Sequence, residues 1–486
     1  MELTLAEAVG KMAASLVALG LLLGAGRVVL GRMRVLRALF LPVAVVSGVL
    51  GLLLGPQGLG AAAGAALGAG HPLAGGLFPA WVPESWAALP KLLITVVFAG
   101  LLLGGPIPPA REVWRKSGPQ ILHGYTLAFG QYALAFLVVV LVLSPYFGVD
   151  PTAGALIEIA FTGGHGTAAG MAPSFELAGF PEGRDLALGL ATVGIIAGVV
   201  LGTLYINIAV RTGCVPVACL EPDTAGEADI PEPAAAADSE AAGEADADGG
   251  ADVLTIQLAL LALAVAAGWL LKEGLVLLEA RTWGAWTETP LMPLVPLFPL
   301  AMIGGVAVQL ALSRLGLDHL VHRGLLHRVT GAALDFLIAA ALATMSLRVI
   351  GGHWEAFAVL SLTGLCWSIF AFWVLAPRMI PGRWFERALA DMGQSTGVVA
   401  TGLLLLRVSD PRNRTGALEA FGCKQLLFEP FVGGGLVTAL SVPLTVQFGP
   451  RIMLLATAAL TLAALCGGLW LARGIRRAAG NERNTP

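Results

Sequence analysis

The chain has 486 residues, 57% of them hydrophobic and only 13% charged, with a formal net charge of −3 and a mean hydropathy of +0.81. A soluble domain keeps about a quarter of its residues charged so that water can wet its surface, so an ordinary soluble fold is excluded, and no basic excess points to nucleic acid. The apolar residues come in runs of about 18 to 25, the length that crosses ~30 Å of hydrocarbon at 1.5 Å per residue, which predicts an all-α polytopic membrane protein in the lipid bilayer.

In chain order the expected spans begin with Met12–Leu30, Leu36–Leu54, Leu89–Leu103 and Gln120–Leu143. A Gly-rich segment, Thr152–Ala172, follows, and then a span at Leu186–Val210. Residues 215–252 read as an acidic, disordered cytoplasmic linker. From Pro222 to Asp252 there is no Lys, Arg or aromatic residue, and such a segment buries too little apolar surface to offset its chain entropy. Spans resume at Leu254–Leu271, Leu291–Leu312, Val329–Leu347 and Phe357–Leu375. A second Gly- and Thr-containing segment, Leu389–Leu406, precedes one long run, Ala417–Val446, and a last span, Ile452–Leu471. The chain thus divides into a first membrane repeat (1–214), the linker, a second membrane repeat (253–475) and a cytoplasmic tail (476–486). The five cysteines (Cys214, Cys219, Cys366, Cys423, Cys466) show no metal-site spacing; three lie in or beside apolar runs, where a thiol reads as a small hydrophobe.

Basic residues in short loops set orientation. Arg27, Arg32, Arg34 and Arg37 separate the first two spans, Arg111, Arg115 and Lys116 follow the third, and Arg211 precedes the linker. Later groups are Arg314, Arg323 and Arg328, then Arg378, Arg383 and Arg387, then Arg412 and Arg414, and finally Arg473, Arg476 and Arg477. One alternating topology puts all of them in the cytoplasm, provided both Gly-rich segments turn back to the side they came from. The N-terminus is then outside the cell membrane, with the linker and C-terminus cytoplasmic.

The halves also resemble each other. Pro42 precedes Ser47-Gly48 in LPVAVVSGV at the same spacing as Pro299 precedes Gly304-Gly305 in FPLAMIGGV, and small pairs let helix backbones approach closely. Gly164-His165-Gly166-Thr167 answers Gly393-Gln394-Ser395-Thr396. The expected fold is therefore two inverted-topology repeats, each with a re-entrant hairpin, about 152–172 and about 389–406. Paired, Gly-interrupted segments in inverted repeats are the sequence pointer to a transporter's midplane site. Irregular backbone at membrane depth is tolerated only where it is buried in protein or lines a cavity. A broken helix frees amides that suit a carboxylate, and carbonyls and hydroxyls that suit a small hard cation. The expected substrate contacts are Gly163, Gly164, His165, Gly166 and Thr167 on one tip and Gln394, Ser395 and Thr396 on the other. Sodium is expected near Thr162, Thr167, Gly393, Thr396 and Thr401, as a coupling ion and not a resident cofactor.

Single residues carry competing readings. His165 is a substrate contact or a helix-end histidine bonded to a carbonyl. Glu158 is a cation ligand or an interfacial charge, and Asp335 reads as a solvated or capped helix end. Lys424 and Glu429 lie within an apolar run and read as a structural ion pair across the kink at Pro430. Gly393-Gln394-Ser395-Thr396-Gly397 also fits a G-x-S-x-G elbow, which would make Ser395 the nucleophile of an intramembrane serine hydrolase. That elbow needs a strand-turn-helix setting, and nothing in the chain reads as a strand.

FTGGHGTAAG at Phe161–Gly170 resembles the hairpin of the bacterial glutamate:sodium symporter family. LFLPVAVVSGVLGLLLGP at Leu39–Pro56, PLFPLAMIGGV at Pro296–Val306 and LIAAALATMSL at Leu337–Leu347 are similar to that family as well. The resemblance covers most of the membrane portion of both halves, and Gly-Gly-His-Gly-Thr is its most specific element. It implies an inner-membrane carrier that imports glutamate with sodium, forms a homodimer and moves its hairpin domain like an elevator. Another small organic anion, a dicarboxylate or hydroxycarboxylate, is the alternative cargo. The second hairpin, DMGQSTGVVATGLLLLRVSDP, departs from the family pattern, which has a Pro-Thr-type tip followed by an Asn-containing helix.

Overall fold

A computed structural model describes residues 5–39, 41–104, 109–212, 250–282, 284, 291–411 and 414–482. The expected linker lies outside them except for its last three residues, 250–252, which begin a helix; Cys214 and Cys219 lie outside them too. Among the described residues all regular structure is helical, and eleven helices are long and apolar enough to cross a membrane. The chain is a multi-pass α-helical membrane protein. Hydrocarbon offers no partner to a backbone amide, and a helix satisfies its own.

The first helices are α1 (Leu5–Arg32), α2 (Val43–Leu54), α3 (Trp81–Gly100) and α4 (Ala110–Val138), which continues through a π-helical turn at Val139–Leu143 to Phe147. Three short helices follow, α5 (Leu156–Phe161), α6 (Gly164–Gly170) and α7 (Ala172–Leu177), and then the long α8 (Glu182–Arg211). Next are α9 (Gly250–Arg281), α10 (Leu297–Leu315), α11 (Arg323–Ala343) and α12 (Trp354–Phe370), which continues through a π-helical turn at Ala371–Leu375 to Met379. The remainder is α13 (Trp384–Ser409), α14 (Ala417–Phe428), α15 (Leu436–Phe448) and α16 (Pro450–Glu482).

Two of these helices start later than their apolar runs do, at Val43 and Leu297. Proline costs a helix least around its first turn, where its missing amide has no partner to lose, and Pro42, Pro296 and Pro299 sit there. The run expected to be continuous, Ala417–Val446, is interrupted between Phe428 and Leu436. Pro430 has no amide to donate, and Gly433 and Gly434 take φ of 73° and 108°, values that only glycine adopts without strain.

α1, α2, α3, α9, α10 and α11 pack as one bundle, and α4, α5, α6, α8, α12, α13, α14 and α16 as another. In the first bundle the small pairs do what their spacing predicts. A Cβ on Gly26 of α1 would lie 2.0 Å from Ser47 Oγ, and one on Gly48 only 2.6 Å from Leu342 Cβ of α11. In the other half, a Cβ on Gly304 would lie 2.2 Å from the Ala264 carbonyl oxygen of α9, and one on Gly305 would lie 2.4 Å from that of Ala99 on α3. The neighbour at the second pair is backbone and cannot rotate away, so an added methyl there would cost about 1–3 kcal/mol or more.

α13 is not straight. Gly397 (φ −146°, ψ 39°) and Val398 (φ 60°, ψ 178°) leave helical geometry. A Cβ on Gly402 would lie 2.5 Å from the Ala390 carbonyl oxygen, and one on Gly393 would lie 2.8 Å from Gly402 Cα. In a continuous helix residues so spaced would stand roughly 14 to 18 Å apart at 1.5 Å rise each, so the two halves of α13 lie side by side.

Candidate functional site

The break between α5 and α6 and the break within α13 meet. Gly164 (φ 72°) opens α6, and a Cβ on it would lie 2.3 Å from Val398 Cγ1. Val398 itself has positive φ, an outlier for a β-branched residue that persists only where its surroundings over-determine it. α8 runs past both breaks: a Cβ on Gly194 would lie 2.2 Å from the Thr396 carbonyl oxygen and 3.0 Å from Phe161 Cδ1.

Gln131 of α4 holds the two breaks together. Thr162 donates its hydroxyl proton to Gln131 Oε1 over 2.8 Å, and Gln131 Nε2 donates to the Ser395 carbonyl over 2.6 Å. Neither Gln131 nor the bridge is marked by any motif; the only sequence signal is an amide midway along an apolar span that also carries Gln120 and His123.

The two Gly-containing tetrads are not equivalent positions. Gly164-His165-Gly166-Thr167 begins the helix after its break, whereas Gly393-Gln394-Ser395-Thr396 ends the helix before its own. The match at the breaks is Thr162-Gly163-Gly164 with Thr396-Gly397-Val398, each followed by a threonine at the same distance, Thr167 and Thr401. The second tip is therefore centred at Gly397–Val398, at the end of the expected tip Gly393–Gly397.

A third break, between α14 and α15 where only a kink at Pro430 is expected, joins the site. A Cβ on Gly434 would lie 2.7 Å from Thr167 Oγ1, and one on Gly433 would lie 3.5 Å from Thr162 Cγ2. Glu158 anchors this loop: it accepts from the Gly433 amide over 2.7 Å, from the Thr438 hydroxyl over 3.0 Å, and from the Tyr132 hydroxyl. The buried Glu158 carboxylate thus ties α5 to α4 and to the third break. The run of three glycines after Pro430 was the signal for it.

The other expected residues fall as follows. His165 is buried, with Nε2 3.0 Å from Thr192 Oγ1; Thr192 gives its own proton to the Leu188 carbonyl, so the ring donates from Nε2 and Nδ1 keeps its lone pair. Gln394 accepts at Oε1 from Lys424 (2.8 Å) and Gln425 (3.1 Å) and donates from Nε2 to Gln425 Oε1 (2.9 Å). Ser395, Thr396 and Thr401 each donate to a carbonyl of their own helix turn, at Met392 (3.1 and 2.8 Å) and Gly397 (2.5 Å). Their oxygens keep lone pairs that a cation could use. The hydroxyl of Ser395 and the ring of His165 thus each bond elsewhere and not to each other. Asp335 is half-exposed on α11.

Lys424 does not pair with Glu429. Its ammonium is 2.8 Å from Asp391 Oδ1 on α13, and Asp391 Oδ2 is 2.8 Å from His123 Nδ1 on α4. Five residues along a helix separate two side chains by more than a turn, so Lys424 reaches across to the neighbouring helix instead.

The fold and the site define a multi-pass helical membrane protein in which three helix interruptions gather beside α4. No protein-family model, curated protein or solved structure matches the chain.

Proposed function

We propose that the protein is a secondary transporter that carries a small organic anion across the cell membrane, with glutamate imported together with sodium as the specific form. The observation that carries this reading is the meeting of two helix breaks at Gly164 and Val398, tied by Gln131, inside a bundle of apolar helices. Irregular backbone in that setting supplies donors and acceptors where water is absent. The peptide groups freed at the breaks, with His165 beside them, receive the carboxylates of the anion. The hydroxyl oxygens of Thr162, Thr167, Thr396 and Thr401, with carbonyls of the breaks, suit sodium, a hard cation that prefers oxygen ligands. Each ligand favours the ordered arrangement of the breaks, which is the thermodynamic basis of coupling.

Several relationships support reading the chain as two inverted repeats. Ser47 touches α1 and Gly48 touches α11, just as Gly304 touches α9 and Gly305 touches α3. The π-helical turns at Val139–Leu143 and Ala371–Leu375 each lead into a proline two residues on, Pro145 and Pro377. The re-entrant form of the second interrupted segment is supported by the contact of Gly393 with Gly402. For the first, the turn at Pro151–Ala155 and α7 both pack against α15, as the two ends of a returning segment would. The Arg distribution supports an external N-terminus. In this scheme the bundle built on α4 moves against the other, as an elevator. The resemblance of Phe161–Gly170 to glutamate:sodium symporters supplies the particular anion and cation.

The test is uptake by purified protein in liposomes under an imposed sodium gradient, with a panel of labelled glutamate, dicarboxylates and hydroxycarboxylates. Saturable, sodium-stimulated glutamate uptake is expected. Monodisperse protein that neither accumulates nor exchanges any anion of the panel would remove the carrier reading.

A further inference from the structure

Asp391, Lys424 and His123 come from three helices, α13, α14 and α4, and each is almost completely buried. Lys424 Nζ donates to Asp391 Oδ1 and to Gln394 Oε1, both at 2.8 Å, and lies 4.3 Å from the centroid of the Phe428 ring. Asp391 also accepts from Gln120 Nε2 at 3.1 Å, and its Oδ2 lies 2.8 Å from His123 Nδ1, which donates to it in the Nδ1-protonated tautomer. The room for the lysine comes from Gly124, where a Cβ would lie 2.6 Å from Lys424 Cε. Apolar side chains of equal volume often stabilise a core as well as a buried ion pair does, and ionisable groups at membrane depth mark ion and proton paths. Two atoms of this cluster, His123 Nε2 and Gln120 Oε1, are buried without a hydrogen-bond partner. With the Nδ1 proton directed at Asp391, Nε2 presents a bare lone pair, the position at which a further proton binds.

We propose that the Asp391–Lys424–His123 cluster is a proton-binding site that couples proton movement to the second helix break. The inference rests on the carrier reading and adds a coupling ion to it. Imidazole can carry a proton on one ring nitrogen or on both. A proton arriving at His123 Nε2 makes an imidazolium that keeps its Nδ1 proton on Asp391, so the carboxylate then faces two cations. Lys424 shifts its hold from Asp391 toward Gln394, and loss of the same Nε2 proton reverses the change. Gln394 adjoins Ser395, whose carbonyl is held by Gln131, and Gln131 holds Thr162. A change at Lys424 therefore reaches both breaks through contiguous polar contacts. The other charged groups facing the cluster are Arg387, one turn back on α13 with Glu386 beside it, and Glu429 beyond the end of α14. α16, which packs on the same stretch of α4, presents Gly467, Gly468 and Leu471 there.

The experiment uses the full chain in liposomes carrying a lumenal pH dye, with the membrane potential clamped and no sodium gradient, and the labelled anion that the panel shows to exchange. Wild-type protein is expected to shift lumenal pH as the anion moves. His123→Gln, which still donates to Asp391, is expected to keep anion exchange and to lose proton flux roughly tenfold, within the usual range of linked binding. Anion movement by wild-type protein without any pH change overturns the inference while leaving the carrier reading intact, as does undiminished proton flux in His123→Gln. If that variant does not fold, the wild-type dye signal decides alone. Absence of exchange for every anion overturns the carrier reading, and the inference falls with it.

Discussion

The hydroxyl of Thr162 and the carbonyl of Ser395 are held by the two ends of one side-chain amide, that of Gln131. The three groups are buried, so none can turn to water if the bridge is lost. Replacing Gln131 by Met keeps the volume and leaves both partners unsatisfied, at about 1–3 kcal/mol for each buried group. Gln131→Met is expected to lower the melting temperature in detergent and to abolish uptake. Thr162→Val, which orphans only the glutamine oxygen, is expected to lower the melting temperature less.

Direct contact between the breaks is open to a double-mutant cycle. Gly164→Ala meets Val398 and forces alanine into positive φ, and each effect is destabilising by about 1 kcal/mol or more. Val398→Gly removes both the obstacle and the strain at its own position. The pair is expected to melt well above the sum of the single effects, with a coupling of about 1 kcal/mol or more. Strict additivity in the measured melting curves would mean that the two tips do not touch.

Thr167→Val and Thr396→Val test the oxygen ligands without breaking a tie between helices, because Thr396 donates only within its own turn, to the Met392 and Gly393 carbonyls and the Met392 sulfur. Membrane insertion and monodispersity are expected to persist while uptake is lost. Wild-type uptake in both variants would place the site elsewhere.

Asp410 closes the loop after α13, accepting from the Arg414 amide (2.9 Å), the Thr415 amide (2.9 Å) and the Thr415 hydroxyl (2.5 Å). Burial works against its charged form, but the hydrogen bonds from Thr415 and Arg414 outweigh it and hold the carboxyl below its ordinary range. A carboxyl depressed on folding stabilises above its unfolded pKa, and the contribution disappears as pH falls through the folded value. Asp410→Asn is therefore expected to melt lower than wild type at neutral pH, with the difference closing below about pH 4. A gap that is the same at both pH values would contradict this.

The helices were legible because hydrocarbon leaves a chain few choices: apolar runs bounded by Arg and Pro became spans, and Pro42 with Ser47-Gly48 became a close helix contact. The break at Thr162–Gly164 could be read because glycine and a polar residue interrupt an apolar pattern together. The second break falls at the last residue of its expected tip, Gly397, and not at Gly393. In the fold Gly393 is a helical residue made small by the close approach of Gly402. The third break goes beyond the kink expected at Pro430, because the three glycines after Val432 disrupt the helix as well. The partner of Lys424 was beyond reach, because Asp391 and His123 meet it only through tertiary packing.

The central claim is that the anion sits where the breaks meet, and a density map of the protein in lipid nanodiscs at saturating glutamate tests it most directly. Ligand density is expected there, bounded by Thr162–Thr167, Gly397–Val398 and Gly433–Gly434. Glutamate bound elsewhere, with unbroken protein contacts between Gly164 and Val398 and no density beside them, would contradict it.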